Sequence, residues 1–406
     1  MMAKWRDCKL GDLLEIKHGF AFLGEHFGST GTHVVLTPGN FLEEGGFKER
    51  SDKAKWYSGP IPADYVLDEG DLIVAMTEQA EGLLGSSALI PRSGFYLHNQ
   101  RLGLVQIRDR KQADQHFIYY LFNTKPVRHQ IRGSASGTKI RHTAPSRIAD
   151  VKVSVPPLPV QRRIAGILSA YDELMENSQR RIRILETMAR ALYREWFVHF
   201  RFPGHEKHPR IASPLGEIPK GWEVKKLGEV AAITMGLSPK GDTYNEEGDG
   251  TPLVNGPVEF GERFTKQVKW TTAATKFCKE GDLVVCVRGS TTGKYVKSDG
   301  MYCLGRGVCG ISSKYQCFVD LLFENELPAL LGQTSGSTFP SWTGPQLKNH
   351  PVLSPTPELL ARFETLAKPM SVAVLGYSRQ IQNLRRTRDL LLPRLLSGEL
   401  TLVVPS

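Results

Sequence analysis

The chain has 406 residues, too many for one ordinary hydrophobic core, so two or more domains are expected. Its 40% hydrophobic and 23% charged residues describe a globular rather than a disordered polymer, and no run of about 18 apolar residues is present to span a membrane. The net charge of +10 permits a nucleic-acid partner through attraction to phosphate without requiring one, and the opening MMAKWRDCKLGD lacks the apolar centre of a signal peptide, so a cytoplasmic location is expected.

In chain order, residues 1–155 read as a mixed α/β domain. Short β-rich runs (HVVLTP, DLIVAM, LGLVQI) are separated by Gly/Ser/Asn turns, and a helix is predicted over QHFIYYLFN. Residues 156–200 open on Val155-Pro156-Pro157-Leu158-Pro159, where proline ends a strand and pre-sets the first helical turn. Apolar residues then recur at heptad spacing as Ile164, Tyr171, Leu185 and Leu192, with Ser178 as the exception. Leu168, Met175, Ile182, Ala189 and Trp196 form a second row on the same face. Residues 201–353 hold a linker, Phe200–Ser213, and a second α/β domain with strands at DLVVCV and GVCGIS. Residues 354–406 repeat the hinge as Ser354-Pro355-Thr356-Pro357 and the stripe as Phe363, Met370, Tyr377, Leu384 and Leu391. Ala367, Val374, Ile381 and Leu395 run beside it, and Arg388 interrupts that row. Five heptads in shared register predict two long coiled-coil-like helices for pairing and docking.

The two halves are copies. Lys9-Leu10-Gly11-Asp12 returns as Lys226-Leu227-Gly228-Glu229, and Glu69-Gly70-Asp71-Leu72-Ile73-Val74 as Glu280-Gly281-Asp282-Leu283-Val284-Val285. Phe117–Phe122 returns as Phe318–Phe323, and Gly133–Thr138 as Gly332–Ser337. The offset shrinks from 217 (Lys9 to Lys226) through 211 (Glu69 to Glu280) and 201 (Phe117 to Phe318) to 199 (Gly133 to Gly332). Chance does not place four such matches in one order, so this is a domain duplication with trimmed loops.

Enzyme signatures fail on inspection. Asn255-Gly256-Pro257-Val258 lacks the second proline and the aromatic of an adenine-methyltransferase loop. Gly289–Tyr295 is one residue short of a P-loop and lacks its closing hydroxyl, and Glu223-Val224-Lys225 has no suitably placed upstream acid for a nuclease core. Cys278, Cys286, Cys303, Cys309 and Cys317 crowd one window without a C-x-x-C pair, and alternate with apolar residues as core positions do. His199, His205 and His208 sit in a Pro/Gly segment that reads as a solvated linker. No metal, cofactor or catalytic residue is assigned to the chain.

DNA contact requires Arg, Lys, Asn, Gln or aromatic residues on loops. In the first copy Lys139, Arg141, His142 and Arg147 follow the Ser136-Gly137-Thr138 turn, where backbone amides can approach phosphate closely. In the second, Arg288, Lys294, Lys297 and Arg306 flank glycines, and the matched loop Ser335–Thr343 carries Trp342 with Lys348 beyond it. Tryptophan is more often core than a stacking surface, and exposed cations are often merely solvated. The first copy has Glu78 and Glu81 where the second is basic; a glutamate can still accept from cytosine N4.

The order of these segments resembles the specificity subunit of type I restriction–modification systems along nearly the whole chain. The resemblance rests on Pro-Pro-Leu-Pro with Gln161-x-x-Ile164, on Ile218-Pro219-Lys220-Gly221-Trp222-Glu223 entering the second domain, and on the ending Leu391-Leu392-Pro393-Arg394-Leu395-Leu396-Ser397-Gly398-Glu399-Leu400. The second hinge departs from it, reading Glu358-Leu359-Leu360-Ala361-Arg362-Phe363 without the Gln-x-x-Ile step. The resemblance implies two target-recognition domains, each reading half of an asymmetric, interrupted site in double-stranded DNA. It implies antiparallel long helices that dock two methyltransferase subunits, joined by motor-nuclease subunits. S-adenosylmethionine, ATP and Mg would belong to those partners. The alternative is a coiled-coil scaffold gripping protein partners without sequence-specific DNA binding.

Overall fold

The computed structural model describes residues 5–50, 53–78, 81–334, 340–400 and 402. It divides into two compact units, residues 1–176 with 381–406 (unit 1) and residues 177–380 (unit 2). The division therefore falls inside each long helix rather than at the hinges, because each helix half buries its apolar stripe against the globular copy beside it.

The duplication in sequence is a duplication in topology. Unit 1 has an antiparallel four-stranded sheet in the order Leu14–His18, Leu102–Ile107, Leu72–Ala75, Ser87–Leu89. Unit 2 repeats it as Ala232–Met235, Val308–Ser312, Leu283–Cys286, Tyr295–Lys297. Leu72–Ala75 and Leu283–Cys286 are buried at every residue, which is why both strands read as unbroken apolar runs. Each unit also has a five-stranded sheet with one parallel pair, His33–Val35 beside Tyr96–Leu97 and Thr251–Val254 beside Tyr302–Leu304. The entry strand of each copy pairs with the strand that precedes its hinge, Arg6–Lys9 with Lys152–Val155 and Glu223–Lys226 with Pro351–Ser354. The helix over QHFIYYLFN is present as Gln115–Phe122, capped by the Asp114 carboxylate accepting from the Phe117 amide at 3.0 Å.

The long helices span Leu158–Tyr193 and Pro357–Leu396. Their stripes are buried or half-buried as the heptads predict, and Ser178 is buried within its row. Arg388, which interrupts the second stripe, donates to Asp172 Oδ1 of the first helix at 2.7 Å, while the Tyr120 hydroxyl donates to Asp172 Oδ2 at 2.6 Å. Within unit 2, Phe363 packs edge-on against Tyr193, Trp196 and Phe197, and Arg181 donates to the Tyr377 hydroxyl. As the first helix advances from 181 to 193 its partners recede from 377 to 363, so these segments run antiparallel.

The departure at the second hinge has a structural answer. Gln161, buried, accepts from the Asp114 amide at 3.0 Å and donates to the carbonyls of Gln112 and Pro156 at 2.9 and 2.8 Å. In unit 2 the equivalent residue is the buried apolar Leu360, and Glu364, one turn later, accepts from the Phe318 amide at 2.9 Å. The Phe200–Ser213 segment is more ordered than a solvated linker. Phe202 is buried and stacks on Trp222 at 5.7 Å, His208 meets the Phe202 ring edge-on, and Arg210–Ser213 pairs with Gly216–Pro219. Its aromatic residues find an aromatic partner in the second copy, which a composition of Pro, Gly and His does not reveal.

The five clustered cysteines are buried thiols, and burial pushes those of Cys309 and Cys317 up to about 12. His98 is also fully buried; its Nε2 donates to the Leu102 carbonyl at 2.9 Å while Nδ1 has no partner among the described residues. Burial holds this imidazole down at about 4, helped by the nearby Lys17 and His18. Its folded pKa lies below the unfolded value, so the stability it confers is complete above about pH 6.5 and is lost as pH falls towards 4. Unit 1 should lose about 2 kcal/mol from this group between pH 7.5 and 5. Urea unfolding of the wild type and His98→Gln at both values tests this: the variant should be the less pH-sensitive of the two, and equal sensitivity would dismiss the assignment.

Candidate nucleic-acid interface

In each unit three chain segments meet at one end of the four-stranded sheet. In unit 1 the ladder runs out at Met76, whose amide donates to the Arg101 carbonyl at 3.0 Å and whose carbonyl accepts from Thr143 at 2.9 Å. Unit 2 builds the same rung from Val287, donating to the Gly307 carbonyl at 2.9 Å and accepting from Trp342 at 3.0 Å. One residue beyond these rungs stand Gln100, Thr77 and His142 in unit 1, and Arg306, Arg288 and Ser341 in unit 2. Thr77 pairs with His142 in the backbone ladder, as Arg288 does with Ser341.

The outermost segment is a tight turn in both copies, closed by Leu102 N to Asn99 O at 2.9 Å and Val308 N to Gly305 O at 3.1 Å. Gln100 and Arg306 lie at its tip. The turn is pressed against a glycine with no room to move: a Cβ on Gly19 would lie 2.0 Å from the Asn99 carbonyl oxygen, and one on Gly236 2.1 Å from that of Gly305. Gly19 and Gly236 keep the 217-residue offset of the copies. Backbone contact this close demands the missing side chain.

The predicted residues fall into two groups. Lys139, Arg141, Arg288, Lys294, Arg306 and Lys348 make no ion pair among the described residues, and all are exposed except the half-buried Arg141. His142 is exposed with Nδ1 3.2 Å from the Thr77 hydroxyl, and Arg147 is exposed and donates to Ser136 Oγ at 3.0 Å. Two candidates are internal instead. Trp342 keeps 3% of its surface and its indole donates to the Leu330 carbonyl at 2.8 Å, so it is core and offers no face to a base. Lys297 pairs with the half-buried Asp320 at 2.6 Å and donates to Ser371 Oγ at 3.1 Å, so its charge is spent inside unit 2. The first part of the matched loop, residues 335–339, lies outside the described residues.

Glu78 is also no reader of cytosine. It is buried, and its Oε2 accepts from the amides of Gly82, Leu83 and Leu84 at 3.1, 3.1 and 2.9 Å. Glu81 is tied to Arg132 at 2.5 Å. Arg128 holds the same loop by donating to the carbonyls of Leu84, Glu43 and Gly82, and burial lowers its guanidinium to about 10. The acidity of the first copy is thus consumed in shaping a loop. Sequence reasoning missed Gln100 and the exposed Arg101 beside it; the polar run Asn99-Gln100-Arg101 ahead of LGLVQI was the available signal.

The comparisons agree with this repeated scaffold. The family model described as type I restriction modification DNA specificity domain matches residues 2–187 and 219–359. The chain is 26% identical over 296 residues to the specificity subunit of the type I restriction enzyme MjaIX of Methanocaldococcus jannaschii, covering 70% of this chain and 68% of that protein. To the specificity subunit of the type I restriction enzyme EcoBI of Escherichia coli it is 21% identical over 351 residues, covering 81% and 70%. The crystal structure of a type I restriction–modification S subunit from M. genitalium shares the fold at a TM-score of 0.67 with 15% identity, over 97% of this chain and 96% of that one. With both copies matched, the chain belongs to the type I restriction–modification DNA specificity family.

Proposed function

We infer that the chain is the DNA-sequence-recognition subunit of a type I restriction–modification complex, and that its units each read one half of an asymmetric, interrupted site. The observation that carries this reading is the matched sheet end: one backbone scaffold built twice, with unequal side chains on it. Free cations beside each row supply the phosphate attraction that positions a protein on a duplex. Described residues of the long helices leave large apolar side chains exposed, among them Ile184, Met188, Leu366, Val372 and Leu390. Such surface suits partner subunits, here two methyltransferase subunits on a paired antiparallel coiled coil, joined by motor-nuclease subunits. Methyl transfer with S-adenosylmethionine and ATP- and Mg-dependent cleavage belong to those partners, and this chain supplies no catalytic group. No described helix is long and apolar enough to cross a membrane.

The test exchanges residues 1–155 for the corresponding domain of a relative and maps methylated adenines in cells that also carry the methyltransferase partner. One half-site should change and the other persist. Simultaneous change of both halves would refute domain-wise reading, and binding without sequence preference in moderate salt would favour a scaffold.

A further inference from the structure

The matched rows carry a more specific assignment, which rests on the reading of the chain as a DNA-recognition subunit. A base-reading side chain must be exposed, free of internal partners, and held on a backbone that does not give. The tip of the turn meets all three conditions in both units. Gln100 and Arg306 are exposed, and neither side chain has a hydrogen bond or ion pair among the described residues. Their backbone is fixed by the turn hydrogen bond, by the glycine beneath it and by a further tether, Gln100 N to the Phe20 carbonyl at 2.9 Å and Arg306 N to Ser238 Oγ at 3.2 Å.

The two tips differ in chemistry. The amide of glutamine matches the N6 donor and N7 acceptor of adenine, whereas the fork of arginine matches the O6 and N7 acceptors of guanine. Neighbours in the row follow the same division. In unit 2 Arg288 adds a second free guanidinium beside Arg306, while in unit 1 the neighbour is Thr77, buried and 3.2 Å from the His142 imidazole. We propose that the turn tip is the matched base-reading position of the two units, Gln100 specifying adenine in one half-site and Arg306 specifying guanine in the other.

The experiment selects duplexes from a randomised double-stranded DNA pool with the full chain and its methyltransferase partner, and sequences what is retained. Arg306→Ala should relax one guanine position in one half-site, lowering discrimination there roughly 5- to 150-fold, and leave the other half-site intact. Gln100→Ala should relax one adenine position in the opposite half. The exchanges Arg306→Gln and Gln100→Arg should redirect those positions towards adenine and guanine respectively. Lys139→Ala and Lys294→Ala, away from the tip, should weaken binding of all sequences alike and reduce its salt dependence. Circular dichroism melting of each variant keeps loss of fold separate from loss of reading. An unchanged motif with a uniform fall in affinity would make these tips phosphate contacts and overturn the proposal. A wild-type chain that selects no bipartite motif would instead overturn the functional reading on which it rests.

Discussion

Replacing Phe363 by alanine will lower the unfolding free energy of unit 2 by about 3–5 kcal/mol. Its ring has no exposed surface and lies 5.0 Å from Phe197, 5.8 Å from Trp196 and 6.4 Å from Tyr193, all at steep angles. Deleting it removes apolar contact and leaves a cavity that interlocked rings cannot close, and it forfeits edge-to-face attraction as well. Domain stabilities are about 5–15 kcal/mol, so the loss is a large part of the total. Urea unfolding followed by tryptophan fluorescence reads it, since Trp196, Trp222, Trp270 and Trp342 report on unit 2 and Trp5 and Trp56 on unit 1. Phe277→Ala, at a ring left 46% exposed, is the control and should cost far less. Equal effects from both substitutions would show that the aromatic seam does not organise the unit.

The second large effect is electrostatic and lies in unit 1. Asp172→Ala should cost about 3 kcal/mol, because it removes one of the two carboxylates that hold the Arg388 guanidinium and the nearer acceptor of the Tyr120 hydroxyl, which keeps only Ser169 Oγ at 3.4 Å. The figure is set near the lower end for a buried pair because Asp172 keeps 30% of its side chain exposed against 15% for Arg388. Arg388 also reaches the neighbouring Asp389 at 2.8 Å, and these two carboxylates hold its guanidinium above the usual arginine range despite burial. The double variant Asp172→Leu with Arg388→Met should recover part of the loss, since an apolar pair of similar volume fills the site and the exposed Asp389 returns to solvent, while the Tyr120 hydroxyl still lacks its nearer acceptor. A double-mutant cycle measures the coupling; single losses that simply add would dismiss it. The knot also opposes sliding, because a shift of one heptad would set Asp172 against the apolar Ile381 or Leu395 instead of Arg388.

Much of this architecture is written in local pattern. The fully apolar runs at Leu72–Ala75 and Leu283–Cys286 mark strands covered on both faces. The heptads after each Pro-rich hinge mark the helices, because side chains seven apart share one face whatever the helix packs against. The repeat itself announces a scaffold built twice.

What each polar side chain does was settled only by tertiary structure. Lys297 and Lys294 are three residues apart on the same glycine-flanked stretch, yet one is neutralised by Asp320 and the other is free. Arg388 reads as a flaw in a stripe until Asp172, far away in the chain, supplies its counter-charge. Glu78 reads as an acidic surface until three amides turn it inward, and Gln100 is unremarked until strand register sets it beside Thr77 and His142. Periodicity reports which face of a segment is apolar, and that is a property of neighbouring residues. A charge is free or spent according to residues brought near by strand pairing and helix packing, and the local pattern carries no record of which these will be.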